Sequence, residues 1–257
     1  MKAIAGFLCG LLFPLLVHAA DPVTLRFAYE TEEVFPYYVG TGEVISNKPG
    51  VLPELVLQLG RRIPGLKIEM SRMPWKRCLA QLQSGEVDAI VGSFKPDRLA
   101  NGVYPMKNNS PDPAMAIDVR SYYLYKPRGS TVQWDGQQFG ELNGAVGAPL
   151  GYSIVDDLQK MGVKVEQTRS AAVDFQKLGL RRLAAVAALE KVGDYYVRLG
   201  RDGDFVKVTP ALATKEYYLM FSRQFIQKHP DTASRIWRTL AEVRDSEIDA
   251  MIVKYLD

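Results

Sequence analysis

Cysteine and histidine are nearly absent: the 257-residue chain has two of each. Cys9 lies in an N-terminal apolar segment expected to be removed, which leaves Cys78 alone. A single cysteine forms no internal disulfide, so the mature chain is expected to fold on its hydrophobic core without a cross-link. A catalytic thiol wants a base beside it, and once His18 is removed only His229 remains, next to Pro230 in a turn. Cys78 instead sits on the apolar side of a helical pattern and is expected to be buried. Zinc-ligand spacing, a phosphate-cradling glycine loop and a hydroxyl-nucleophile elbow are all missing, so neither a metal nor a cofactor is expected. Dense Lys/Arg runs are missing too. The formal charge of +3 is mild and lacks the basic stripe that nucleic acid would need. There is no short tandem repeat.

The N-terminus has the pattern of an export signal. Lys2 supplies positive charge, residues 4–17 are apolar, and Val17-His18-Ala19 offers a cleavage site, so residues 1–20 are expected to be cut off. The run is too short for a membrane span, which needs roughly 20 apolar residues. A chain of about 237 residues remains, enough for one large core or two lobes.

Residues 23–29 (VTLRFAY) alternate as a strand does. An aromatic loop, Phe35-Pro36-Tyr37-Tyr38, follows. In residues 51–63, Leu52, Leu55, Val56, Leu59 and Ile63 share one helical face. Residues 66–70 form a second strand, and a helix over 75–82 ends at Ser84-Gly85. Residues 87–91 (VDAIV) form an apolar run of the kind buried in parallel sheets. Strand, helix, strand, helix, strand implies a right-handed parallel α/β unit. Trp75, Lys76 and Arg77 open the second helix, and Arg98 follows the third strand. That places cations and an indole at the sheet end where open α/β sheets bind small ligands.

The order then repeats. A strand over 120–126 (RSYYLYK) leads to a short strand at 145–148 that ends in Pro149-Leu150-Gly151-Tyr152-Ser153. A helix over 154–161, a strand over 163–167 and a helix over 173–178 come next. Residues 183–189 (LAAVAAL) then occupy the place that VDAIV held. Residues 217–222 form a further strand, packed through Tyr217 and Tyr218, and residues 230–256 are mostly helical. Asp88 is expected to make a structural bond. Two similar halves suggest two lobes with a cleft between them.

The ordered pieces LRFAYE with FPYY, GVLPELVLQLGRRI, LQSGEVDAIVGSF, PDR, LNGAVGAPLGYS and YYLMFSRQF resemble bacterial periplasmic solute-binding proteins of the polar amino-acid type, the extracellular family 3. LQSGEVDAIV is the most specific of them, and the likeness covers essentially the whole mature chain. It implies a two-lobed type II periplasmic-binding-protein fold, α/β, in which two hinge strands join lobes that are each a mostly parallel sheet flanked by helices. One lobe would hold residues 21–119 and 216–257, the other residues 120–215.

The resemblance also implies roles. Trp75 would stack on the ligand, and Phe35 and Tyr38 would wall it. Arg98, in Pro96-Asp97-Arg98, would pair with a carboxylate through its planar fork. Gly151, Tyr152 and Ser153 would bind the same group at a helix N-terminus. The loop before Arg98 is shorter than in the family, and Pro74-Trp75-Lys76-Arg77 resembles a Pro-Trp-x-Arg variant, so Arg77 is a rival carboxylate partner. Leu189 stands where the family's aspartate holds the ligand's amino group, and Glu190 is the nearest substitute. A charge-assisted hydrogen bond contributes about 1.5–3 kcal/mol, so its loss would weaken α-amino recognition roughly 10–150-fold.

The expected function is periplasmic capture of a small carboxylate-bearing solute, an amino acid or an organic acid. A monomer would deliver it to an inner-membrane ABC permease. The alternatives are a soluble sensor for a membrane receptor, or a dehydratase-type enzyme using Glu30 or Glu190.

Overall fold

The computed structural model describes residues 22–200 and 204–256; the expected export signal lies outside them. Two β-α-β-α-β units share one eight-stranded sheet. The first comprises β1 (Val23–Glu30), α1 (Val51–Arg62), β2 (Leu66–Met73), α2 (Trp75–Ser84) and β3 (Ala89–Ser93). Two short strands, β4 (Met106–Lys107) and β5 (Ser110–Pro111), pair as a ribbon before β6 (Asp118–Pro127). A second ribbon, β7 (Gln133–Trp134) with β8 (Phe139–Gly140), follows. The second unit comprises β9 (Val146–Pro149), α3 (Ser153–Lys160), β10 (Val165–Thr168), α4 (Ala171–Gly179) and β11 (Ala185–Leu189). The chain ends with α5 (Glu190–Leu199), β12 (Phe205–Phe221), α6 (Arg223–Lys228) and α7 (Pro230–Leu256).

The sheet order is β10-β9-β11-β6-β12-β3-β1-β2. Each unit therefore places its first strand between its second and its third, with parallel pairing. The chain reverses direction across the sheet at β1 and at β9, and the carboxyl ends of such strands open a crevice. β6 and β12 run antiparallel through the middle and link the units. β6 pairs with β11 on one side, and the end of β12 pairs with β3 on the other. Two lobes and two hinge strands result, joined as one continuous sheet.

Local sequence explains the elements. The apolar face of α1 buries Leu52, Leu55, Val56 and Leu59 completely. Gly50 opens that helix at φ 113°, and a Cβ there would lie 2.4 Å from the Tyr37 carbonyl oxygen, so only glycine fits. Gly85 ends α2 in the left-handed region at φ 80°. All five residues of β3 and of β11 are buried, as strands covered on both faces require. Cys78 is buried, and burial pushes its thiol up to about 12. Asp88 accepts hydrogen bonds from Arg26 N, Nε and Nη2 at 2.8, 2.9 and 2.7 Å and so ties β1 to the start of β3.

β12 is much longer than the strand expected at 217–222. Its early part, Phe205 to Val208, pairs with β6, and the register then shifts between Val208 and Ala213. α5 was not expected as a separate helix. It carries Gly193, where a Cβ would lie 2.1 Å from the Tyr125 ring.

Candidate functional site

The carboxyl ends of β1 and β9 face each other across the cleft. Glu30 closes β1, and Tyr152 follows β9. The Tyr152 hydroxyl donates to Glu30 Oε1 at 2.5 Å. A small cavity lies beside this contact, and its lining includes Tyr38, Trp75, Arg98, Arg120, Tyr122 and Leu189. A second small cavity shares Glu30, Val34, Tyr122, Tyr152 and Leu189 with the first, so the Glu30–Tyr152 pair lies between the two.

The two sides meet through side chains from both units and through the Gly151 carbonyl. Trp75 begins α2, and its indole Nε1 donates to the Gly151 carbonyl at 3.3 Å. Arg98 Nη2 donates to the same carbonyl at 3.0 Å. Its Nη1 donates to the Ser93 carbonyl at 2.8 Å and to Ser93 Oγ at 2.9 Å. The Arg98 guanidinium also lies over the Trp75 ring, 5.2 Å from its centroid. Ser93 Oγ and Ser153 Oγ are 2.9 Å apart. Gly151 holds φ 76°, which suits glycine and turns its carbonyl toward both donors. At the rim, Lys95 pairs with Asp156, and Lys215 pairs with Asp157.

The short loop before Arg98 does not keep it from the cleft. Residues Pro96–Ala100 coil into a 3-10 turn that folds Arg98 back, 5% exposed, against Ser93. Arg77 is exposed on α2 and outside the cavity lining. Trp75, Tyr38, Tyr152 and Ser153 line the cavity, and Gly151 borders it through its carbonyl. Phe35 packs on Tyr195 at 4.5 Å between ring centroids and is not a lining residue. Glu190 turns away because Lys207 Nζ lies 3.0 Å from its carboxylate. Leu189 takes the place of a polar group in the wall.

Some lining residues had no ligand role on the sequence. Glu30 is 7% exposed. Burial raises its carboxyl to about 7, against the downward pull of the Tyr152 hydrogen bond, and the charge of Glu32 pushes the same way as burial. Tyr122 and Tyr217 join through their hydroxyls at 2.8 Å. Arg120, 5% exposed, donates from Nε to Asp118 at 2.6 Å. Its guanidinium lies 3.5 Å from the Tyr37 ring centroid and 4.3 Å from that of Tyr217. On the sequence Arg120 is only a charge just before a tyrosine-rich run, with nothing that marks it as a site residue.

Among the described residues no cluster of His, Cys, Asp and Glu could hold a metal, and no helix is long and apolar enough to cross a membrane. No family model matches the chain, and no curated protein matches it. Solved structures do. The GluR0 ligand-binding core from Nostoc punctiforme in complex with L-glutamate is 14% identical, with TM-score 0.71, over 91% of this chain and 99% of that one. A putative binding component of an ABC transporter from Wolinella succinogenes, complexed with lysine, is 14% identical, with TM-score 0.71, over 91% and 96%. A histidine kinase sensor domain with similarity to periplasmic binding proteins is 18% identical, with TM-score 0.69, over 91% and 96%. At these identities the likeness establishes architecture: the chain has the two-lobed fold of periplasmic binding proteins.

Proposed function

We propose that the chain is a periplasmic solute-binding protein of the family 3 type. It captures a small carboxylate-bearing solute, an amino acid or a related compound, between its lobes. It then delivers that solute, as a monomer, to an ABC importer. One lobe comprises residues 21–119 and 216–257 and the other residues 120–215, with β6 and β12 as the hinge. Trp75, Tyr38, Tyr152 and Ser153 are the proposed ligand contacts, Arg98 and Arg120 are the guanidinium groups at the same cavity, and Leu189 closes the wall.

One observation carries this reading: a cavity between the lobes lined by buried guanidinium and aromatic groups. Arginine forks suit carboxylates, and aromatic faces suit the rest of a small solute. Direct contacts between the lobes, such as Tyr152 with Glu30, support a closing motion coupled to occupancy. The similar structures hold glutamate and lysine in this fold, and the chain is read as a binder rather than an enzyme. The likeness to a kinase sensor domain favours a second role, in which the closed form signals to a membrane receptor.

A thermal-shift screen of small carboxylic and amino acids tests the shared core of both roles. A solute at 100 times its dissociation constant should stabilise the protein by about 2.7 kcal/mol. Absence of any shift at millimolar concentration contradicts both roles. Capture of a permease, as against a receptor, separates them.

A further inference from the structure

We propose that Arg120, rather than Arg98 or Arg77, is the side chain that recognises the anionic group of the solute. This deepens the solute-binding reading and rests on it. The argument is a comparison of donors. Arg98 has its guanidinium nitrogens engaged by Ser93 and by the Gly151 carbonyl, so in the closed form it works as a bridge between lobes. Arg77 is exposed and does not line the cavity. Arg120 lines the cavity and is 5% exposed, and its Nη2 is buried without a hydrogen-bond partner.

Leaving a buried donor of a charged group unpaired is costly, and native proteins rarely tolerate it without a purpose. The rest of the side chain is fixed. Asp118 holds Nε, and the Tyr37 and Tyr217 rings lie close to the guanidinium. A guanidinium held this way presents its remaining edge with little freedom to lose, the preorganisation that charge-assisted recognition rewards. Local charge points the same way. The lining of the cavity holds two guanidinium groups, Arg98 and Arg120, against one carboxylate, Glu30. The linked hydroxyls of Tyr122 and Tyr217 stand beside the same space as secondary donors.

The test compares acids with their neutral amides. Calorimetric titration of the purified chain uses L-glutamate, L-arginine, L-lysine, glutarate and succinate, each beside its carboxamide. The wild type should prefer the bound acid to its amide by about tenfold or more. Arg120→Gln should weaken that acid by about 10–100-fold while moving the amide little, so that the preference disappears. Arg77→Gln should leave the preference intact. Equal weakening of acid and amide by Arg120→Gln, or a preference that survives it, overturns the assignment while solute binding stands. Binding of no probe by the wild type overturns the assignment and the solute-binding reading together. A crystal of the wild type grown with the tightest probe needs no variant. A carboxylate oxygen on Arg120 Nη2 supports the inference, and a carboxylate held only by Arg98 or Arg77 overturns it. If Arg120→Gln does not fold, Arg120→Lys serves. It keeps the charge without the fork and should retain only part of the acid preference, and full retention counts against the proposal.

Discussion

β3 and β11 are the same strand in two copies of one topology, yet they end differently. Each is the third strand of its unit, each is wholly buried, and each runs parallel to its unit's first strand. Asp88 enters β3 and gathers Arg26, whereas Ala184 enters β11 with one backbone bond to Ala145. β3 leaves through Ser93 into the turn that brings Arg98 over Trp75. β11 passes directly into α5, whose first side chain, Glu190, turns to Lys207 and leaves Leu189 in the wall. One framework therefore carries two different edges. The first unit contributes Glu30, Trp75 and Arg98, the second contributes a backbone carbonyl, tyrosine and serine hydroxyls and an apolar surface, and Arg120 comes from the hinge strand between them.

The contrast can be broken first at Arg98. Arg98→Met removes three donated bonds and leaves the Ser93 carbonyl to the Tyr104 hydroxyl and the part-buried Gly151 carbonyl to the Trp75 indole. Denaturant unfolding should show a loss of about 3–4 kcal/mol, whereas Leu189→Met, a volume-conserving change in the opposite wall, should cost less than about 1.5 kcal/mol.

The next effect is a pH dependence. Glu30 titrates near 7 in the folded chain against 4.5 in the reference state. A raised carboxyl pKa means that the folded form holds its proton more tightly. The contribution is complete below about pH 4.5 and is lost as pH rises through 7, on the order of 3 kcal/mol at most. Asp174, buried under β9 and bonded to Thr168, also titrates near 7 and acts in the same direction. Unfolding free energy should therefore fall between pH 5 and pH 8, and Glu30→Gln should flatten part of that slope. A slope unchanged in the variant would show that Glu30 does not contribute.

Asp88→Ala should cost about 2 kcal/mol, since Arg26 is left half exposed and can be solvated. Glu190→Gln should change stability by less than about 1 kcal/mol, because its pair with Lys207 is partly solvated. A larger loss there would mean that the exit of β11 matters to the fold as much as the exit of β3.

The α/β units were legible because buried parallel strands and amphipathic helices leave strong periodic patterns. The first part of β12 was not, since the alternation over Val206 to Thr209 is short and stops at Pro210, and pairing with β6 carries the strand. α5 was hidden by Gly193, a weak helix former that is present because Tyr125 crosses within contact of it. At the candidate site, Trp75, Tyr38 and the Gly151-Tyr152-Ser153 turn were expected from the resemblance, and they line or border the cavity. Arg120 was not expected, because its environment is assembled by Asp118, Tyr37 and Tyr217 from three separate segments. The opposite orientation of Glu190 depends on Lys207, which lies on the strand that was missed.

The central claim is that the cavity beside Trp75 captures a carboxylate-bearing solute. Its most direct test is a fluorescence titration of the wild type and of Trp75→Phe with the same acid. The chain has three tryptophans, so the variant isolates the one in the cleft. A saturable change in emission that is present in the wild type and lost in Trp75→Phe, with binding heat still measurable in the variant, is the predicted result. Saturable binding of the acid with identical emission changes in both proteins would place the solute elsewhere and contradict the account.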